Sequence, residues 1–412
     1  MFLLATFSTC QLPAAEPSGK PADRVAIEKT GDFPDATPLK RPSVSWKVTA
    51  KRWVAANAVR NPEGGIGVSD PVYYDGAVYF GDNAGDVHAV RANDGLPLWQ
   101  TATQHRIYHA PFVDASGVYC TSEPSGVIAL NRSDGTRRWP ARVDRPGAPL
   151  KAGSTLFVAG GDGIVYAFDA EAGAVRWERN VLDELVDPPG FDGKRGRFDG
   201  SPARPSNCAS DGQTLYQSIF DQCRVVAIDC ETGRERWSFQ SGGWIHGNVT
   251  MTAECVLFGS QDDHCYCLDK RSGELRWKFR TGSRIESGPA VRGDSVYIPS
   301  CDGALYRINL QTGEAVWKFR TTPEQPKQTA IYSAPLLVQD SVCFTAGEGQ
   351  IYAIDIASGE LKWKFRPSEH SEMYSSPATD GRRIFVQVRA ASGGRGENAI
   401  IAIDETPDPS LP

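Results

Sequence analysis

Five potential metal or redox ligands fall within six residues of the stretch "SQDDHCYCLDKRSGELRWKF" (260–279): Asp262, Asp263, His264, Cys265 and Cys267. Two thiols, an imidazole and carboxylates are the donors of a Zn²⁺ site, provided that four of them converge tetrahedrally. On a strand, alternation sends His264 to the face opposite Cys265 and Cys267, so convergence would require the strand to bend. Nine further cysteines accompany Cys10, an odd number, which leaves at least one of the nine thiols free within one chain. Cys223 and Cys230 lie about 23 Å apart along one predicted strand, far beyond disulfide reach. Cys255 with Cys265, on neighbouring predicted strands, is the one pair that spacing allows. The sequence holds no paired nucleophile and base, no glycine-rich phosphate loop and no HExxH-like spacing.

The second half of the same stretch is the more informative. "ANDGLPLW" ends at Trp99, "NRSDGTRRW" at Trp139, "DAEAGAVRW" at Trp177, "DCETGRERW" at Trp237, "DKRSGELRW" at Trp277, "NLQTGEAVW" at Trp317 and "DIASGELKW" at Trp363. Gly stands four residues before each Trp, and the Trp-to-Trp spacings are 40, 38, 60, 40, 40 and 46 residues. A period near 40 indicates stacked supersecondary units, because one unit cannot bury its own apolar face. In the seventh unit the strand-like pieces are "SAPLLV", "SVCFTAG", "QIYAIDI" and "ELKWKFR". Each is short, rich in β-branched and aromatic residues, and closed by a Gly or Asp turn. Four antiparallel strands per ~40 residues make one β-propeller blade.

After Trp363 an eighth unit has three strands and ends at "AIIAID" without a Trp. "PSVSWKV", with Trp46, supplies the missing fourth strand from the other end of the chain. The expected fold is therefore all-β, an eight-bladed propeller of four-stranded antiparallel blades closed by an N-terminal strand. Each Trp ring is expected to wedge against the neighbouring blade while its N–H finds a backbone acceptor. In phase with the other units, Cys267 stands where they carry Ala89, Ala129, Ala167, Ala227, Ala353 and Ala402. Asp263 stands on the turn glycine of Gly85, Gly163, Gly303 and Gly349, and His264 on a slot that tolerates any residue. Read this way, the cysteine cluster is a hairpin with no metal.

The repeat A-x-D-x-x-[TS]-G-x-x-x-W, best at Ala227–Trp237 and Ala353–Trp363, resembles the tryptophan-docking motif of PQQ-like (pyrroloquinoline-quinone-type) propellers, over residues 41–405. That resemblance implies one of two functions. Some members are quinone-dependent dehydrogenases, which hold the quinone with adjacent cysteines and Ca²⁺ with Glu, Asn and Asp. Others, such as the outer-membrane assembly lipoprotein B type, bind no quinone. No two cysteines are adjacent here, so the expectation is a non-catalytic member with no cofactor; PQQ with Ca²⁺ is the alternative.

Long insertions at 47–67, 182–207, 321–330 and 389–398 fall in loops that share one face of such a ring, and loops carry function on a constant scaffold. The same face receives the residues that precede each innermost strand: Asp70, Tyr108, His109, Trp244, His246, Arg284, Glu286, Tyr332 and Tyr374. These form the expected binding rim at the mouth of the central channel, for a protein or peptide partner or, as a third reading, for a small ligand that is sensed.

A net charge of −6 argues against a nucleic-acid partner. No apolar run reaches the ~20 residues of a membrane helix. "MFLLATFSTC" resembles the end of an export signal, and Cys10 resembles a lipidation site, although Thr9 departs from the small residue expected before it. The reading is residues 1–40 as leader and linker, 41–405 as propeller and 406–412 as tail, in an exported, cell-envelope monomer; a cytoplasmic location is the alternative.

Overall fold

The fold comes from a computed structural model, which describes residues 27–30, 42–49, 68–103, 105–123, 126–182, 205–321, 330–368, 371–390 and 398–404. Cys10, the tail and most of the four long insertions lie outside the described residues. Eight antiparallel sheets follow one another along the chain. Blade 1 is Val72–Tyr74, Ala77–Gly81, Asp86–Arg91 and Pro97–Ala102. Blade 5 is Thr250–Met251, Cys255–Gly259, His264–Asp269 and Leu275–Arg280, and blade 6 ends with Ala304–Asn309 and Ala315–Arg320. The first strands of successive blades are neighbours, so they line the centre of the ring.

Every part of the D-x-x-x-G-x-x-x-W joint has a physical task. In blade 5 the Asp269 carboxylate accepts the N–H groups of Arg271 and Ser272 at 2.9 and 3.0 Å, an Asx turn. Asp169 and Asp229 do the same in blades 3 and 4, and each also binds an arginine on the outer strand, Arg176 at 2.7 Å and Arg236 at 2.6 Å. Those donors hold both carboxyls down at about 2. Gly273 then turns the chain at φ +75°, which suits a residue without Cβ. In all eight blades the register of the fourth strand shifts beside the Trp, a β-bulge.

The glycine has a second task between blades. A Cβ on Gly273 would lie 2.6 Å from the ring of Trp237 in the preceding blade. The same contact joins Gly95 to Trp46, Gly135 to Trp99, Gly173 to Trp139, Gly233 to Trp177, Gly313 to Trp277 and Gly359 to Trp317. The indole N–H groups of Trp46, Trp99, Trp139, Trp177, Trp237 and Trp277 donate to the carbonyls of Ala92, Arg132, Ala170, Cys230, Lys270 and Leu310 in the next blade, at 2.7–3.2 Å. Blade 6 differs. Arg307, in the slot where most blades have alanine, donates to the Ile356 carbonyl at 3.1 Å, and the Trp317 N–H has no partner among the described residues.

Ring closure is as expected: Ser43–Thr49 pairs antiparallel with Ala399–Asp404, and Trp46 is buried against Gly95 of blade 1. One strand was not anticipated. Ile27–Thr30, within the expected linker, runs parallel to Ala315–Arg320 as a fifth strand on blade 6, with Glu28 in register with Lys318.

Asp263 takes the left-handed turn position at φ +69°, as the four glycines of that slot do at 79–95°. His264 Nδ1 donates to the Asp262 carbonyl at 2.7 Å, whereas Cys265 and Cys267 are fully buried among Leu257, Ile285 and Ile308. The anticipated Cys255–Cys265 pair is a misreading: Cys255 stands opposite Asp269 and Cys265 opposite Gly259, four residues apart along the strand. The near neighbour of Cys255 is Cys267, and burial pushes the Cys267 thiol up. All nine cysteines from Cys120 onward are free thiols.

Candidate functional site

Two repeated contacts hold the connections that lead into each innermost strand. A threonine or serine at the end of the fourth strand bonds back to the hairpin between strands two and three. Thr103 donates to the Gly85 carbonyl at 2.8 Å, Ser241 to Cys223 at 2.7 Å, Thr281 to Asp263 at 3.1 Å and Thr321 to Gly303 at 3.0 Å. Next, a serine two residues before a proline pins the start of the inner strand. Ser69 Oγ accepts the Gly81 N–H at 3.0 Å, and Ser333 Oγ accepts the Thr345 N–H at 2.9 Å. The in-phase triplets at Ser69–Pro71, Ser287–Pro289, Ser333–Pro335 and Ser375–Pro377 are the sequence signal that reading by tryptophan passes over. Between these two anchors the chain must present a few side chains to the channel mouth.

The nine residues of the expected rim lie in these connections, and the structure places several of them in contact. Glu286 is the hub. Its carboxylate accepts the Gln261 amide at 3.0 Å and pairs with Arg284 at 2.6 Å, while His246 Nδ1 lies 3.8 Å away. Arg284 also reaches Tyr332, whose hydroxyl is raised above its usual range chiefly by burial. Tyr332 meets Tyr374 edge-on, ring centroids 5.4 Å apart, and the Arg389 guanidinium lies 6.0 Å over Tyr374. Trp244 and His246 both pack on Phe220, at 5.1 and 5.5 Å. Tyr108 accepts from Arg106 at 3.2 Å.

Two rim groups are electrostatically unusual. Burial raises the Asp70 carboxyl to about 6, against opposing contributions from Ser376 and Arg389. Burial, with the nearby His246, lowers His109 to about 4. The two imidazoles are thus near enough for their charges to interact, although their connections lead into blades 2 and 5. In the unfolded chain His109 titrates at 6.5, above its folded value, so the unfolded chain takes the proton first as pH falls. His109 therefore removes stability between pH 6.5 and about 4, by an amount on the order of 3 kcal/mol at most. H109N is expected to lose less stability than the parent across that window, measured as the difference in Tm between pH 7 and pH 4.5.

Reasoning from sequence missed Arg106, Phe220, Gln261, Ser376 and Arg389, because each lies elsewhere in its blade or connection and reaches the mouth only through the fold. Among the described residues, one group brings three possible metal donors together: Asp82, Asp86 and His88, in the hairpin between strands two and three of blade 1. The DDHCYC stretch does not.

The chain matches the family described as outer membrane protein assembly factor BamB over residues 42–186, 145–216 and 198–406. It is 29% identical over 162 residues to that factor from Yersinia pestis, 39% of each chain, and 28% identical over 118 residues to the one from Xanthomonas campestris. The Xanthomonas match takes in 26% of this chain and 29% of the relative, so in both cases the matched region spans well under half of the relative's length. The crystal structure of BamB from Moraxella catarrhalis superposes with a TM-score of 0.63 at 16% identity, over 82% of this chain and 94% of that one. A quinohemoprotein alcohol dehydrogenase from Comamonas testosteroni superposes equally well, with a TM-score of 0.64 at 14% identity over 91% and 78%. At such identities the likeness concerns fold alone. The family match, by contrast, runs from the closing strand to the last blade, and the chain belongs to the outer membrane protein assembly factor BamB family.

Proposed function

We propose that this propeller is a non-catalytic scaffold of the cell envelope that holds a protein or peptide partner at its channel mouth and the surrounding loops. The observation that carries this reading is the convergence of Tyr332, Tyr374, Trp244, His246, Arg284 and Glu286 from four separate connections onto one rim. Aromatic anchors beside paired charges are the composition that protein recognition favours. Tyr108 and Tyr374 are 47% and 36% exposed, so they are available to a partner. The relatives' description as assembly factors of the outer membrane supports both the binding role and the location.

The quinone alternative meets a poor donor set. At the mouth, Glu286 is committed to Arg284 and Gln261, and Asp70 sits beside Ser376 and Arg389. The sequence has no adjacent cysteines to clamp a quinone. These residues do not fit a quinone–Ca²⁺ pair. A photo-crosslinking amino acid at Tyr374 or Tyr108, in the host cell, should give one discrete protein adduct, and the same probe at exposed Val175 on the outer strand of blade 3 should give none. Absence of adducts at both rim positions, or tight binding of pyrroloquinoline quinone with Ca²⁺ and dye reduction by the purified protein, overturns the reading.

A further inference from the structure

The hairpin between the second and third strands is built alike in blades 3, 5, 6 and 7, and the hairpin of blade 1 departs from that pattern. An acid at its tip bonds the tyrosine four residues on: Asp162 with Tyr166 at 3.0 Å, Asp262 with Tyr266, Asp302 with Tyr306 at 2.5 Å, and Glu348 with Tyr352 at 2.6 Å. In blades 5 and 6 the same acid also takes the N–H of Gly242 or Gly282 from the preceding connection, so the pair is a structural latch. Blade 1 has a hairpin of the same length, with Gly81 opposite Val87 as Gly259 is opposite Cys265. Its tip carries Ala84 in the place of the acid and His88 in the place of the tyrosine. Asp82 replaces the serine of Ser260 and Ser300, and Asp86 stands where blades 5 and 6 have His264 and Ala304.

These departures bring one ligand atom each from Asp82, Asp86 and His88 to within 4.8 Å of one another. The group is held as a built site would be. Asp82 is only 4% exposed, and its second oxygen accepts the Asp86 N–H at 2.9 Å. Gln100 donates to an oxygen of Asp86 at 2.8 Å, which orients that carboxylate. The ring of Phe80 stacks on His88 at 4.8 Å and fixes the imidazole plane, while the His88 side chain keeps 18% exposure. His88 Nε2 and Asp82 Oδ2 are 2.9 Å apart and share a proton.

We propose that Asp82, Asp86 and His88 bind a divalent transition cation of the Zn²⁺ class, which displaces that shared proton. One imidazole nitrogen and two carboxylate oxygens at ~2.0–2.2 Å suit Zn²⁺, with the remaining position left to water. Phe80 and Gln100 act as the outer shell that sets ligand orientation. The site connects to the rim: the Asp82 carbonyl accepts the Ile107 N–H at 3.0 Å, and the Gly85 carbonyl accepts Thr103. A bound cation therefore stiffens the segment that delivers Tyr108 and His109.

The test is titration of the full chain with Zn²⁺ by calorimetry, with Mg²⁺ in parallel. The expected result is one Zn²⁺ per chain, little response to Mg²⁺, and at least tenfold weaker Zn²⁺ binding by D86N, which leaves the Asp82–His88 hydrogen bond in place. The double variant A84D/H88Y installs the Asp–Tyr latch of blades 5 and 6, so it should fold with unchanged circular dichroism and lose the site. Co²⁺ in the parent protein should give d–d absorption bands that D86N and A84D/H88Y abolish. Equal Zn²⁺ affinity in the parent and in D86N, or no saturable binding by the parent, overturns the proposal.

Discussion

Gly273→Ala is expected to lower the midpoint of urea unfolding by the equivalent of about 2–4 kcal/mol, whereas Gly293→Ala costs only about 1 kcal/mol. Both glycines have positive φ, +75° and +55°, so both substitutions strain the backbone. A Cβ at Gly293 meets nothing within 4 Å, whereas at Gly273 it would lie 2.6 Å from the Trp237 ring. The difference between the two variants isolates the inter-blade contact. Equal losses would mean that the ring yields freely, and that this glycine is present for the turn alone.

Trp46→Ala should be more damaging still, by about 3–5 kcal/mol for a buried aromatic removed without refilling. Trp46 packs on Phe385 at 5.7 Å and on Gly95, and it donates to Ala92 at 2.7 Å, so it joins the last blade to the first. Phenylalanine separates packing from hydrogen bonding. W46F keeps most of the apolar ring and loses the bond to Ala92, which costs about 1 kcal/mol. W317F should lose less, because the Trp317 N–H has no acceptor among the described residues and Arg307 already holds Ile356. Thermal unfolding of the four single variants, with W317A as the fourth, ranks them; a larger loss in W317F than in W46F contradicts this account.

The parts of the fold that were legible are those that repeat. Seven copies of Gly four residues before Trp gave the blade number and the closing strand, because a packing requirement repeated in phase is visible without any alignment. Single departures from the repeat were less legible. Arg307 in an alanine slot and His88 in a tyrosine slot acquire meaning only once the facing carbonyl or carboxylate is known. The Cys255–Cys265 pairing failed because adjacency of strands was inferred without their register. The position before each inner strand is legible in the sequence, and the rim residues are assigned from that position. Gln261 and Arg389 were not legible as their partners, because one belongs to the second-to-third hairpin of blade 5 and the other to the second strand of blade 8. Ile27–Thr30 carried too few residues for any periodicity, and its pairing with blade 6 is a tertiary fact.

Closure of the ring also imposes a timetable on synthesis. Ser45 and Ala402, bonded in the closed ring, are 357 residues apart in the chain. At ribosomal speeds of ~5–20 residues per second, the closing strand is made about 20–70 s before its partner exists. Throughout that interval seven blades can stack while Ser43–Thr49 waits with a full set of unpaired backbone groups. The ring is thus finished when Ala399–Asp404 captures Ser43–Thr49, and a nascent chain of this kind needs that earlier segment kept free from other pairings until blade 8 has been made.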